Sequence, residues 1–600
     1  MGGVRLMMNR KGFSSPLWSI RRPRHVRYIL VIFALVRIHS LAYAWIDGTP
    51  YLIEQFPSLT EAPVSPAAPA QPAPPAVGDR HSFFSVDVRT QEQYIVSATL
   101  RAIGEFCYLY VEDSQWERTV KRETLEVVRR AFDDSTPADP QRGIYRIQTD
   151  LFGAPPNVDG DPKIYLLLLD IRDGAVRGGG FIAGFFNPVD QQRGVLRHPE
   201  LGTPMRSNER DLLYIDTHPL DTGGAEGLGV IAHEFHHLIH WRLDRSEAIW
   251  VNEGCADVAM FLCGYRPEEH TESFEKHPST SLTNWPLGGG SHLAHYGAAY
   301  LWMLYLYEQL GGQETIAAIV RERADGIAGV NNALLSQGLT RTFSSIFADW
   351  KVANLLDDTH FAEGRYGYQN EELTIRVPRT HTSYPITARG DALSNYAADY
   401  VTLLSSGGWQ GLNVVFGIQS PLGRSGIVDG SRIYDLKAIE FQDGRPLQVI
   451  DVPLTADGKG SMINPNFGLS VGQVTLVPSV QPHGTAFPEE PSTYEYHAEL
   501  GAEITFNASV LPNPVHSRYW DIIAVPSSFV GVNTPLVTVS AGKTVIVSDG
   551  PMTPVHDGSI YTYPIYLSLE IEPTDVAWHI QFFDKIVAEG KLAEVKVKGN

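Results

Sequence analysis

From about His81 onward, apolar stretches of strand length alternate with stretches of helical spacing. QYIVSATLRAIGEFCYLYVED (93–113) reads as one or two strands, and QWERTVKRETLEVVRRAFDD (115–134) carries the 3.6-residue apolar period of a helix. KIYLLLLD (163–170) is a continuous apolar run, suited to a central strand buried on both faces. GFIAGFF (180–186) and DLLYID (211–216) predict further strands. Helical spacing then dominates, over 226–242, 250–264, 295–310 and 342–356, with Gly311 and Gly312 stopping the third of these. After about residue 370 short strand-like runs recur between Gly, Pro, Asn and Asp clusters, among them YVTLLSS, GQVTLVPSV and YPIYLSLEI. That spacing is typical of β-sandwich modules, and the tail is long enough for two, dividing near Gly501. No internal repeat stands out.

A chain of 600 residues exceeds what one hydrophobic core sustains, so about two to four domains are expected. The formal charge of −20 argues against a nucleic-acid partner. Cys107, Cys255 and Cys263 cannot make a disulfide framework. On one helix Cys255 and Cys263 would stand roughly 12 Å apart, beyond bonding reach; Cys107 could pair with either, and buried free thiols are the plainer expectation.

The N-terminus changes the picture. Arg21, Arg22, Arg24 and Arg27 precede the apolar run YILVIFALV (28–36), and the small-residue triplet AYA (42–44) follows, with Arg37 and His39 between. This is the layout of a secretory signal cut after Ala44. The run is too short to span a bilayer, and no other segment approaches that length. A secreted mature chain without stable membrane insertion is expected; a periplasmic location or an uncleaved N-terminal anchor are the alternatives. EAPVSPAAPAQPAPPAV (61–77) has the composition of an extended spacer. The expected division is a signal peptide over 1–44, a Pro/Ala-rich linker or pro-segment over 45–80, a catalytic domain over 81–365, a β-rich module over 366–500 and a sandwich-like module over 501–600.

Candidate chemistry concentrates in AHEFHHLIHW (232–241), which holds His233, His236, His237 and His240. Ile231, Phe235, Leu238 and Ile239 supply the apolar stripe of a helix, on which residues four apart share a face. Of the two same-face pairs, His233/His237 and His236/His240, only the first has a carboxylate after its first member. His-Glu-x-x-His lets both imidazoles meet one Zn²⁺ while Glu234 faces the water to be activated. His236 and His240 are read as neighbours that pack or touch solvent. A metzincin third ligand is excluded, because the required glycine and histidine positions hold His240 and Leu243. Instead WVNEGCADVA (250–259) offers Glu253 as an oxygen ligand from a second helix, with Asp257 one turn on, placed to fix a ligand imidazole. Two histidines and one glutamate leave a fourth position open, as a catalytic zinc needs.

At HEFHHLIHW, WVNEGCADVAMFLCGY and HYGAAYLWMLYLYEQLGG the chain resembles the gluzincins, zinc peptidases with His-Glu-x-x-His and a distant glutamate, and more narrowly the secreted neutral metallopeptidases of the hyicolysin type. The resemblance covers about residues 81–357 and is strongest over 208–312; the β-rich tail lies outside it. It implies that His233, His237 and Glu253 bind one catalytic zinc, that Glu234 is the general base, and that Asp257 holds a ligand from behind. It also implies an α+β zincin-like catalytic domain, with a mixed twisted sheet, an active-site helix and a helical lobe, followed here by the β-sandwich-like modules.

Other candidates are weaker. SHLAHYGAAY (291–300) offers His292, His295 and Tyr296 as donors to a developing oxyanion; Tyr296 or His295 is favoured, against a plain helix start. GGGFIAGFF (178–186) fits either an edge strand that pairs with an extended peptide or an interior strand. NVDGDPK (157–163) spaces oxygens as calcium loops begin, but it lacks the closing glutamate, so Ca²⁺ is unsupported and a polar turn is the better reading. Residues 45–80 contain no cysteine, so latency through a cysteine ligand is excluded and another route stays open. The leading function is a secreted zinc endopeptidase acting on proteins or peptides. The alternatives are a zinc exopeptidase or other zinc hydrolase, and a surface- or carbohydrate-binding protein whose β modules carry the function beside a vestigial zinc domain.

Overall fold

A computed structural model of the chain describes residues 45–60 and 74–592, apart from 88–89, 175–179, 200, 287–291, 408–410, 420–431, 456–457, 483–490, 502–505, 513–517, 527–533, 556–559, 569–570, 573–574 and 583–584. The expected signal peptide and most of the Pro/Ala tract lie outside the described residues.

The principal sheet has seven strands: β1 (Trp45–Asp47), β2 (Arg80–Asp87), β3 (Glu92–Ile103), β4 (Cys107–Glu112), β5 (Ile164–Leu169), β6 (Phe181–Phe186) and, after a hairpin of β7 (Val195–Arg197) and β8 (Pro204–Arg206), β9 (Leu212–Asp216). Their order is β1-β6-β9-β5-β4-β3-β2. Pairing is mixed: β4, β5 and β9 run parallel, while β2, β3 and β6 are antiparallel to their inner neighbours. The uninterrupted apolar run predicted to be central is β5, in mid-sheet with all six residues buried. The stretch 93–113 resolves into two strands, β3 and β4. The helix predicted over 115–134 is shorter, α3 (Arg122–Asp133). Residues 115–121 form a turn instead, closed by a Trp116–Val120 bridge, with Glu117 at φ +60° and the Arg101 guanidinium over the Trp116 ring.

Before the spacer, Gly48 leads into α1 (Thr49–Gln55) and α2 (Pro57–Thr60). Leu52, Phe56 and Leu59 recur at helical spacing and are buried in the principal core. At about 1.5–3 kcal/mol for each fully buried side chain, these three anchor the segment firmly. The helical part comprises α4 (Ile144–Phe152), α5 (Ala225–Leu243), α6 (Ile249–Leu262), α7 (Glu268–Lys276), α8 (His292–Gln309), α9 (Gln313–Arg321), α10 (Gly326–Ser336) and α11 (Phe343–Leu356). Helix α5 packs on β6 and β9 on one side and on α4 and α6 on the others. It is buried continuously from Gly227 to Trp241. Helices α7 and α8 approach closely at Gly297, where a Cβ would come within 2.1 Å of the His270 carbonyl oxygen. All three cysteines are free and buried.

The tail is built from largely antiparallel sheets in two pairs, with one parallel pairing, Arg379–His381 beside Val401–Leu404. Strands such as Val401–Leu404 and Gln473–Pro482 share one core with Leu412–Gln419 and Thr493–Leu500 of a facing sheet. Tyr519–Pro526 and Val576–Phe582 belong to two further sheets sharing another. The alternating burial of Val576–Phe582 is that of a strand with one face inward. The first pair is fastened to α11 by Lys351. Its fully buried ammonium donates to the Asp435 carboxylate, to Ser479 Oγ at 2.8 Å and to the Val477 carbonyl at 3.2 Å. Removing one partner of such a pair leaves a buried charge without compensation. Asp435→Ala is expected to lower unfolding free energy by about 3 kcal/mol, and Lys351→Met added to it to recover most of that loss, read from urea unfolding curves.

Candidate metal centre

Helix α5 presents His233 and His237 one turn apart on the face turned toward α6, with ring centroids 4.7 Å apart. Helix α6 brings Glu253 against both: its Oε2 lies 3.3 Å from His233 Nε2 and its Oε1 3.6 Å from His237 Nε2. A fourth group arrives that the sequence did not single out. Asp47, the last residue of β1, puts Oδ2 3.0 Å from His237 Nε2 and 3.9 Å from His233 Nε2. All four side chains are buried, and their ligand atoms lie within 4.8 Å of one another. Among the described residues no second group of this kind occurs.

The chemistry of this set fits a divalent cation. Asp47 Oδ2, Glu253 Oε2 and both Nε2 atoms have no hydrogen-bond partner, although each is sealed from solvent. With the imidazoles neutral, these four polar atoms, two of them on carboxylates, would carry a large desolvation cost that a cation or added protons must offset. Tetrahedral zinc with bonds near 2.0–2.1 Å sets its ligands roughly 3.3 Å apart, which is the scale of the separations here.

The ligand orientations are fixed from behind. His233 Nδ1 meets Asp257 Oδ1 at 2.8 Å, and His237 Nδ1 meets Asn252 Oδ1 at 2.9 Å. A carboxylate can only accept, so Nδ1 of His233 carries the proton and Nε2 is left bare. The other oxygen of Asp257 takes His270 Nδ1 at 2.9 Å. The His270 ring lies 4.3 Å from that of Trp45 and stacks on Tyr296 at 4.7 Å. Asp47 is itself pre-set: its Oδ1 accepts from the Thr49 amide at 2.8 Å, which turns Oδ2 inward.

Glu234 lies beside this set, fully buried. Its Oε2 accepts from Thr49 Oγ1 at 3.2 Å, and its Oε1 has no partner. Burial first, then the nearby Asp47 charge, pushes its carboxyl well above the usual range. It has room only because β6 carries glycine here: a Cβ on Gly184 would stand 2.9 Å from both Cγ and Oε1 of Glu234.

The remaining candidates divide. The Tyr296 hydroxyl reaches the site, 3.4 Å from the Asp47 carbonyl oxygen. His295 is directed elsewhere, with Nδ1 on the Ser281 carbonyl at 2.9 Å and its ring against Trp285. His292 opens α8, and its side chain lies outside the described residues. His236 and His240 are both buried, His236 edge-on to Phe152 at 4.7 Å. They pack rather than touch solvent, because α5 is covered on every side. Burial, followed by the neighbouring His237, pushes His240 down to about 3 and so keeps it neutral. In the 157–163 stretch the carboxylates serve protein partners: Asp161 accepts from Tyr108, and Asp159 from Arg210. Strand β6 lies between β9 and β1, so the edge it would otherwise present is taken by residues 45–47.

Asp47, Asn252, His270 and Thr49 were missed by sequence reasoning. Asn252 and His270 take their roles from helix packing, and Asp47 comes from a distant segment with no ligand spacing.

The neutral metalloprotease ShpI of Staphylococcus hyicus is 24 % identical over 278 residues, covering 43 % of this chain and 58 % of the relative. The chain is similar to a neutral metalloprotease. It thus matches little more than half the length of that relative. No family model matches. Among solved structures, tripeptidyl peptidase 2 aligns with 32 % of this chain and 22 % of its own at 6 % identity and a TM-score of 0.16, too slight a likeness to bear on fold or function. The metalloprotease relative and the buried His–Asp–Glu group together suggest a zinc hydrolase.

The groups behind the ligands give a direct test. Asp257→Asn and Asn252→Ala are each expected to weaken zinc binding by about 10–100-fold, measured by competition with a chromogenic chelator.

Proposed function

We propose that the chain is a secreted zinc endopeptidase of the gluzincin type on a zincin-like fold, with its catalytic part over about residues 81–365 and its β modules over 366–500 and 501–600. The observation that carries this reading is the sealed, uncompensated set of His233, His237 and Glu253 atoms with the unpaired Glu234 Oε1 beside it. His233, His237 and Glu253 would hold the zinc. When bound, zinc supplies Lewis-acid polarisation of the scissile carbonyl and makes the attacking water more acidic. Glu234 takes the proton of that water at Oε1 and passes it to the leaving amine. Tyr296 is the favoured donor to the developing oxyanion, since its hydroxyl already meets a backbone carbonyl in the cleft. His295 is disfavoured by its engagement with Ser281. Asp257 and Asn252 act as positioning residues. An extended peptide substrate would pair with β6, and Gly184 permits its close approach to Glu234.

The similarity to a neutral metalloprotease supports peptide substrates and zinc. Among the described residues no helix is long and apolar enough to cross a membrane. Secretion rests on the leader sequence, and carbohydrate or surface binding by the tail rests on its sandwich-like sheets.

Glu234→Gln separates catalysis from metal binding. It is expected to keep one zinc per chain while casein hydrolysis falls by about 10²–10⁴-fold; loss of zinc in this variant, or undiminished hydrolysis, would remove Glu234 from the role of base. Fragment mapping by mass spectrometry should show internal cuts rather than a ladder from one terminus.

A further inference from the structure

We infer that residues 45–60 are an inhibitor carried within the chain, seated in the substrate cleft with Asp47 as a fourth ligand that closes the open corner of the metal site. Three independent attachments carry the inference. Asp47 Oδ2 converges with the other ligand atoms, and its partner oxygen is pinned by the Thr49 amide. Thr49 Oγ1 donates to Glu234 Oε2 at 3.2 Å and accepts from the Phe186 amide at 2.9 Å, which ties the base to the β6 backbone. Strand β1 pairs with β6 in parallel, and the Gly48 amide donates to the Gly184 carbonyl at 2.9 Å. The segment thereby takes a ligand position, one oxygen of the base and backbone groups of the sheet edge.

This is more than a chance contact. Trp45 lies edge-on to His233, and its amide donates to Glu269 Oε2 at 3.2 Å. Leu52, Phe56 and Leu59 are buried beyond the site. What the segment presents at the ligand set is the Asp47 side-chain carboxylate, which offers nothing to hydrolyse. The Pro/Ala composition of residues 61–77, directly after the segment, suits a spacer that joins an inhibitory part to the part it inhibits.

What the cleft does once open rests on the peptidase reading above; whether the segment fills it does not, and the test separates the two. The full chain and Asp47→Ala would be compared with Co²⁺ in place of zinc, reading metal content, visible absorption and casein hydrolysis. Expected for the variant are one metal per chain, an altered cobalt spectrum, and hydrolysis raised by roughly 100-fold, the scale on which tethering raises occupancy. Metal content falling toward zero would make Asp47 a permanent ligand and overturn the inference, as would an unchanged spectrum together with unchanged hydrolysis. Should Asp47→Ala fail to fold, a protease site placed within residues 61–73 of the otherwise native chain provides the second arm. After the cut and removal of the segment, a synthetic peptide of residues 45–60 is expected to suppress hydrolysis and restore the original spectrum. A peptide that does neither refutes the proposal. A spectrum that responds to Asp47 while no form cleaves casein leaves the occupied cleft standing and removes the peptidase reading. An intact chain as active as the variant does the reverse.

Discussion

Burying carboxylates among bare imidazole nitrogens is the constraint on which the rest of the structure depends. Asp47, Glu234 and Glu253 are sealed from water around His233 and His237, with too few donors to satisfy them. A low-dielectric interior tolerates such a set only if a cation compensates it or protons neutralise it. Much of the neighbouring architecture can be understood as keeping the set aligned. The acceptors behind the imidazoles turn each Nε2 toward the carboxylates, His270 steadies Asp257, and a glycine in β6 clears space for Glu234. Continuous burial of α5 follows from the same need, because a helix that must hold three polar side chains rigidly gains precision from packing on all sides.

The sheet contributes through its edge. Strand β6 runs antiparallel to β9 on one side, and the other side of its backbone takes an added strand. Residues 45–47 occupy that side, and the register shift between Ile46 and Asp47 carries the Asp47 carboxylate to the ligand set. A bulge of this kind re-aims a side chain without ending the pairing. Strand addition and metal ligation are therefore coupled: the backbone ladder sets where Asp47 can reach, and the Thr49 amide sets which oxygen faces inward.

Much of the fold was legible because its signals are local. The buried run in β5, the apolar stripe of α5 and the double glycine after α8 need no knowledge of distant partners. The pairing of His233 with His237, and the place of Glu253 on the next helix, were legible for the same reason, since helical periodicity fixes them. The start of α3 was misplaced because Trp116 and Val120 prefer a closed turn, and apolar spacing does not register a local bridge. His236 and His240 could not be assigned to core or solvent from their helix alone, because what covers that face comes from elsewhere in the chain, including Phe152 of α4. Asp47 was the hardest to see. Its short stretch, WIDGT, carries no ligand spacing, and it acquires meaning only when β1 is laid against β6.

The proposed inhibition and the proposed substrate recognition share one geometry. A cleft that binds extended peptides through a sheet edge is open to any extended segment of its own chain, and a tethered segment competes at high effective concentration. Selectivity between the two must then come from what the occupant presents at the ligand set. A substrate presents a polarisable carbonyl, whereas residues 45–60 present a carboxylate that has no bond to lose. On this reading the contacts of the segment also map the cleft: the Gly184 carbonyl and Phe186 amide mark where a substrate backbone is held, and Tyr296 marks where its carbonyl oxygen is met.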